Sequence, residues 1–464
     1  MMPVADRQYA IQGKRDIETR RVAYMLAHMS ENKAYRHAVE AANGDAGGVL
    51  LDRFKRRYQA YRKGWRGNPR HAIEQGLHDR YFRETGFPPL CVDIETAAAC
   101  DLACPFCFRQ SIATPDKLMQ EEVAYRILDQ CAELGVPSIK LNWRGEPLLH
   151  PKLPAIVSSA KRRGILETII NTDAVTLTED KSRALIEAGL DLLIYSFDGG
   201  TKETYERMRP GRFHENRFED VYENIRRFAA IRREMGAMLP RTQIQMVLTA
   251  ETYQEQEAFF RLFEDCVDDV SVKAYTERGG AVSDLDEESR ARVQGFLGEH
   301  GMAPGTPYWR NREGAIMVSL GRLPCEQIFQ RLMVSYSGSV SMCCYDWGNE
   351  HPVGYVDAQA HEEGMKPYLV TIEKARKKAK GFEGMTNLSL PVRHVSPDRR
   401  VQTLREIWDG VLLNDVRRRH LSGAVDQVPI CAACPFKETY QWAPVPEREA
   451  SFVIREAHHV KRHA

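Results

Sequence analysis

No stretch of the 464-residue chain approaches the ~20 consecutive apolar residues of a membrane span, which excludes a transmembrane helix. The opening Met1–Gln8 lacks the apolar core of a signal peptide, so the expectation is a soluble, cytoplasmic protein with no membrane partner. Charge of one sign is missing as well: 65 Lys and Arg against 64 Asp and Glu leave a formal net charge of +1. That balance gives no global attraction to nucleic acid, which is not expected as a partner. A disulfide framework is disfavoured by the odd count of 11 cysteines in a long chain. The length allows two or three domains with a substantial core.

What the chain does have is a run of three cysteines, Cys100, Cys104 and Cys107, on one short loop after the strand-like Leu90–Glu95. Three thiolates this close can hold three irons of a cubane cluster and leave the fourth iron without a protein ligand. A zinc site would normally be completed by a fourth Cys or His nearby, and the next histidine, His150, is outside the local motif.

Residues 1–85 read as a helical extension, with apolar positions at helical spacing in Ile17–Met29 and Val49–Tyr61. Arg53, Lys55, Arg56, Arg57, Arg62, Lys63 and Arg66 interleave there with Phe54, Tyr58, Tyr61 and Trp65. This segment reads as a solvated helix packed on the main domain rather than a nucleic-acid surface. It has no strand-rich pattern of the kind a peptide-leader-binding winged domain would show.

From 86 to 305 strands and helices alternate. The strands are predicted at Leu90–Glu95, Ser138–Trp143, Glu167–Asn171, Leu192–Phe197, Thr242–Leu248 and Val270–Tyr275. Amphipathic helices such as Glu121–Leu134, Leu153–Arg163 and Glu219–Glu234 separate several of them. The pattern predicts an α/β fold, a parallel sheet curved into a partial (β/α)6 barrel by right-handed crossovers. Function in such barrels lies at the carboxyl ends of the strands, where the cysteine loop falls. The next three ends carry Trp143-Arg144-Gly145-Glu146-Pro147, then Asn171-Thr172-Asp173, then Ser196-Phe197-Asp198-Gly199, with Arg209-Pro210-Gly211 trailing. Gly145 allows close backbone approach, Glu146 can pair with an ammonium group, and Asn171 offers an amide to a ribose.

Residues 306–464 change character. Two strands within Leu332–Cys344 are joined by a turn at Ser337-Gly338, and a charged helix at Thr371–Lys380 and a loop at Leu390–Pro397 follow. A helix over Leu404–Gly423 then leads to Cys431-Ala-Ala-Cys434. With Cys325 and Cys343 these make a four-thiolate set, which spacing alone suits to zinc or to a second iron–sulfur cluster. Cys344, next to Cys343, could take its place.

The three-cysteine loop, Arg144-Gly145-Glu146-Pro147 and Ser196-Phe197-Asp198-Gly199 together resemble the radical S-adenosylmethionine (radical SAM) superfamily. The C-terminal cysteines resemble its SPASM and twitch auxiliary-cluster domains, as in 2-deoxy-scyllo-inosamine dehydrogenase-like enzymes. Because no further cysteine follows Cys434, only one auxiliary cluster can be fully thiolate-ligated. The resemblance implies a 4Fe-4S cluster on Cys100, Cys104 and Cys107 and a second on Cys325, Cys343, Cys431 and Cys434. It implies that Gly145 and Glu146 meet the amino end of SAM, Asn171 the ribose, and Ser196 and Arg209 the methionyl end. Arg144 departs from the family's Gly-Gly-Glu. The implied activity is a 5′-deoxyadenosyl radical abstracting hydrogen from a carbohydrate, aminocyclitol or nucleotide-linked sugar, with a reduced flavodoxin or ferredoxin as electron donor. Dehydrogenation and epimerisation both fit, and the second needs a hydrogen-donating thiol, for which Cys91 and Cys344 are the candidates. Cys131 and Cys266 read as packing residues. Peptide or protein maturation and a non-catalytic iron–sulfur or zinc scaffold are the alternatives.

Overall fold

A computed structural model describes residues 14–112, 115–249, 251–274, 287–302, 308–310, 315–349, 351–357, 401–432, 434, 436 and 439–446. The expected helix Thr371–Lys380, the loop Leu390–Pro397 and Tyr275 lie outside these residues. Among the described residues no helix is long and apolar enough to cross a membrane.

The six expected barrel strands are present as β1 (Cys91–Ile94), β2 (Ser138–Lys140), β3 (Glu167–Thr172), β4 (Leu192–Ser196), β5 (Arg241–Leu248) and β6 (Asp269–Ala274). Neighbours pair in parallel in that order. A further strand, β9 (Arg331–Val334), lies parallel to β1 on its free side, and β10 (Ser339–Ser341) and β11 (Pro352–Tyr355) extend the sheet antiparallel to nine strands. The sheet therefore runs through the boundary drawn at 305. A separate three-stranded sheet joins β7 (Tyr308–Arg310), β8 (Ile316–Arg322) and β12 (Tyr440–Pro444). The expected helix at 404–423 is two, Leu404–Trp408 and Val411–Leu421, with Gly410 between them; a Cβ there would stand 2.7 Å from the Glu406 carbonyl.

The two faces of the barrel sheet differ in chemistry. Val92, Ile94, Ile139, Ile170, Leu193, Tyr195, Ile244, Met246, Val270, Val272, Leu332 and Val334 point to the helices and form the main core. The alternating positions point inward and are largely polar, including Asp93, Lys140, Asn171, Ser196, Gln243, Gln245, Ser271 and Arg331. They pair across strands, Arg331 with Asp93 at 3.3 Å and Gln243 with Ser271 at 3.1 Å. A barrel interior built only for packing would carry branched apolar side chains in layers.

Three helices, α1 (Lys14–His28), α2 (Lys33–Ala42) and α3 (Gly44–Gln75), cover the amino ends of the strands. Asn32 donates to Asp191 at 2.9 Å, Tyr35 to the Ile165 and Leu166 carbonyls at 2.8 Å, and Arg20 to Asp269 at 2.6 Å. The aromatics of the basic segment thus face inward. Tyr58 and Tyr61 are buried and each donates at 3.0 Å to one oxygen of Glu167, which starts β3.

Burial alone would raise Glu167, but Arg21, Arg62 and the two phenols outweigh it and hold the carboxylate below its usual range. A carboxylate whose pKa is depressed in the folded state contributes stability that is fully present above its unfolded value of about 4.3. That contribution is lost as the pH falls below about 4. Glu167→Gln should flatten this acid limb of the stability curve, and Tyr58→Phe or Tyr61→Phe should each cost about 1–3 kcal/mol by denaturant titration.

Candidate functional site

The loop bearing Cys100, Cys104 and Cys107 leaves the carboxyl end of β1 and is held from both sides. Leu102 bridges to Gly211, the Ala103 amide donates to the Pro210 carbonyl at 2.8 Å, and the Arg212 amide donates to the Asp101 carbonyl at 2.7 Å. The Arg209-Pro210-Gly211 segment is thus a backbone splint for the cysteine loop. From the opposite side the β2 loop presses in at Gly145, where a Cβ would lie 2.2 Å from the Ala99 carbonyl and 2.4 Å from that of Ala97. Only glycine fits there. Burial pushes the Cys100 and Cys104 thiols up; Asp173 adds to the effect on Cys100, while Arg209 opposes it on Cys104. Cys104 adds to the effect on Cys100 and Cys107 to that on Cys104, so successive sulfurs along the loop interact.

Glu146 follows and caps the short turn Pro147–Leu149, accepting from the Leu148 amide at 2.9 Å. Thr172 donates to it at 2.7 Å and the Asp173 amide at 2.9 Å, which fixes the carboxylate across the ends of β2 and β3. Burial, then Asp101, pushes Glu146 up, and burial, then Glu146, does the same to Asp173. One ligand atom from each of Cys100, Asp101 and Asp173 lies within 4.8 Å of the others. Acidic groups crowded in this way favour a cationic group between them.

At the next ends Asn171 donates to Ser196 at 2.6 Å and accepts from Gln245 at 3.0 Å, while its amide donates to Asn142 at 3.1 Å. This chain of amides and one hydroxyl runs from the loop after β2 across β3, β4 and β5. Arg209 pairs with buried Asp198 at 2.6 Å, and Asp198 also accepts from the Val247 amide at 2.6 Å.

The β2 loop also reaches the C-terminal cysteines. Arg144 forms a fork with buried Glu95, both bonds 2.6 Å, and donates to the Trp347 carbonyl at 2.9 Å. The Trp143 indole donates to the Cys344 carbonyl at 3.2 Å. Burial pushes up the Cys325 and Cys431 thiols, and Cys434 adds to both. Cys343 is raised first by its contact with Cys344 and then by burial, with Cys434 and Cys325 adding to it. Five sulfurs from 325, 343, 344, 431 and 434 therefore share one neighbourhood. The Tyr345 amide donates to the Cys343 sulfur at 3.3 Å. Arg322 and Tyr440 fix the Cys431–Cys434 turn, Arg322 donating to the Cys431 carbonyl at 2.9 Å and Tyr440 to that of Cys434 at 2.5 Å.

Residues 94–263 match the family described as the Radical SAM superfamily. A radical SAM domain therefore occupies 170 of the 464 residues, from 94 to 263. A GTP 3′,8-cyclase of Chlorobaculum tepidum is 29% identical over 163 residues, 35% of this chain and 47% of that protein. The PqqA peptide cyclase of Gluconobacter oxydans is 35% identical over 123 residues, 26% of this chain and 34% of the relative. The chain thus spans less than half the length of these curated relatives. A solved structure of BtrN in complex with AdoMet and 2-DOIA is 14% identical with a TM-score of 0.41, covering 76% of this chain and 96% of that one.

Radical SAM proteins use a 4Fe-4S cluster and SAM. The grouped sulfurs of the loop, with Arg209 beside Cys104, are a donor set that fits such a cluster. The buried acid of Glu146 fits an amino group. Ser196 and Asn171 satisfy each other across β3 and β4. Cys91 sits apart from the radical SAM loop, at the amino end of β1 on the inner face, its thiol donating to Asp93 at 3.2 Å. Sequence reading passed over Glu95, Gln245 and Asp198. Glu95 and Asp198 directly follow predicted strands or end them, and that position was the available signal; Gln245 lies within β5 and is marked only by polar alternation.

Proposed function

We propose that this radical SAM protein is an oxidoreductase or epimerase acting on a small polar substrate of the carbohydrate, aminocyclitol or nucleotide-sugar type. The inner face of the sheet carries this reading: polar side chains line it from Asp93 and Arg331 to Asn171, Ser196 and Gln245, leading to the ends where Glu146 and the cysteine loop lie. Hydroxyl and amino groups of a sugar need such alternating donors and acceptors. With a 4Fe-4S cluster held by Cys100, Cys104 and Cys107, SAM would supply the means to remove hydrogen from an unactivated C–H bond. Glu146 holds the amino group of SAM, Asn171 its ribose, and Ser196 with Arg209 its methionyl end. Gly145 keeps the acid close to the cysteine loop. The inward polar groups orient the substrate carbon, and the alignment of reacting atoms is the protein's main contribution to rate. Cys325, Cys343, Cys431 and Cys434 would hold one auxiliary 4Fe-4S cluster, which would supply an electron acceptor for dehydrogenation. Cys344, beside this set, is the hydrogen donor that epimerisation would need, with Cys91 the other candidate. A reduced flavodoxin or ferredoxin serves as donor. The position of α1–α3 at the amino ends of the strands favours a small substrate over a peptide recruited by the helical extension.

The test is turnover of the reconstituted enzyme with candidate glycosides and aminocyclitols carrying deuterium at single carbons. Transfer of deuterium into 5′-deoxyadenosine from one position is the expected result. Formation of deoxyadenosine coupled only to a peptide would overturn the substrate class.

A further inference from the structure

We infer that His420 is a positioning residue of the C-terminal thiolate set, donating a hydrogen bond to the Cys431 sulfur and so raising the reduction potential of the cluster held there. The inference rests on the proposed auxiliary cluster. His420 is buried on the last turn of the helix Val411–Leu421, between two of the proposed ligands. Its Nδ1 stands 3.2 Å from the Cys325 amide nitrogen and its Nε2 stands 3.4 Å from the Cys431 sulfur. A backbone amide can only donate, so Nδ1 is the acceptor and the ring proton resides on Nε2, aimed at the sulfur. One imidazole thus fixes the chain at Cys325 and the sulfur at Cys431, ligands 106 positions apart in sequence, from 325 to 431.

An N–H donated to a cluster sulfur withdraws electron density and favours the reduced, more negative state. His420→Asn keeps an oxygen near the place of Nδ1 but has no donor that reaches Cys431, whereas His420→Gln can extend an amide N–H toward it. Both are made in full-length protein whose Cys100, Cys104 and Cys107 are alanine, so that only the C-terminal cluster gives a signal. The expected result in a redox titration followed by electron paramagnetic resonance is a more negative midpoint for His420→Asn. The expected change is about tenfold in the one-electron equilibrium, about 59 mV, with iron content retained and the midpoint largely restored in His420→Gln. An unchanged midpoint in His420→Asn would overturn the inference, as would loss of the cluster from both variants, which would make the imidazole a ligand or a purely structural element. Absence of iron from the triple-alanine parent itself would instead remove the auxiliary-cluster reading on which the inference stands.

Discussion

Alanine at any one of Cys100, Cys104 or Cys107 is expected to abolish SAM cleavage and to remove about four of about eight irons per chain. Alanine at Cys431 or Cys434 is expected to remove the other four while cleavage continues, uncoupled from product. The asymmetry follows from the geometry. Cys100 groups with Asp101 and Asp173, and Asp101 in turn acts on Glu146, so loss of a loop thiol is expected to remove the cluster and to disturb the proposed anchor of SAM. The segment carrying Cys343 and Cys344 meets the β2 loop through backbone carbonyls, at Trp143 and Arg144, so loss of a C-terminal thiol is expected to leave the proposed SAM-binding ends of β2, β3 and β4 in place. Iron and sulfide analysis with chromatography of 5′-deoxyadenosine measures both effects. Zinc in the purified protein together with no cleavage by the unmodified chain would remove the catalytic account altogether.

Arg144→Gly, which restores the family's first glycine, is expected to destabilise the fold by about 3–5 kcal/mol. The guanidinium is buried, and both oxygens of the fully buried Glu95 depend on it at 2.6 Å. Glu95 also accepts from the Tyr336 amide at 3.1 Å, so an unpaired carboxylate would disturb the turn of the β9–β10 hairpin. Much of the cost comes from the charge left behind, so Arg144→Met with Glu95→Leu should recover part of it. Denaturant titration of the three proteins tests the point. The single variant should also lose product formation faster than SAM cleavage, because the Arg144 bond to Trp347 helps to hold the segment carrying Cys343 and Cys344.

Much of this was legible in the sequence. The barrel strands were readable because apolar side chains alternate against the helices, and the helix at 121–134 was delimited by its apolar spacing and by Gly135. The cysteine loop and its partner motifs were readable because each is local and lies just past a strand. Long-range pairings were not. Nothing in Arg331–Val334 announces that it lies beside β1, and Arg144 reads as a broken motif until Glu95 is seen across the sheet. His420 looks in sequence like an ordinary basic residue in a last helical turn; its neighbours come from segments far away. The joint at Gly410 carried a local signal, the glycine itself, within a pattern otherwise continuous enough to read as one helix.

The pairing of β1 with β9 also bears on how the protein is made. Glu95 and Tyr336, joined at the open end of this pair, are 241 positions apart. A nascent chain that has reached residue 305 has all six barrel strands, yet β1 still lacks a neighbour on one side. An uncovered strand edge of this kind invites pairing with other chains. A fragment ending at 305 is therefore expected to aggregate rather than to yield an isolated barrel.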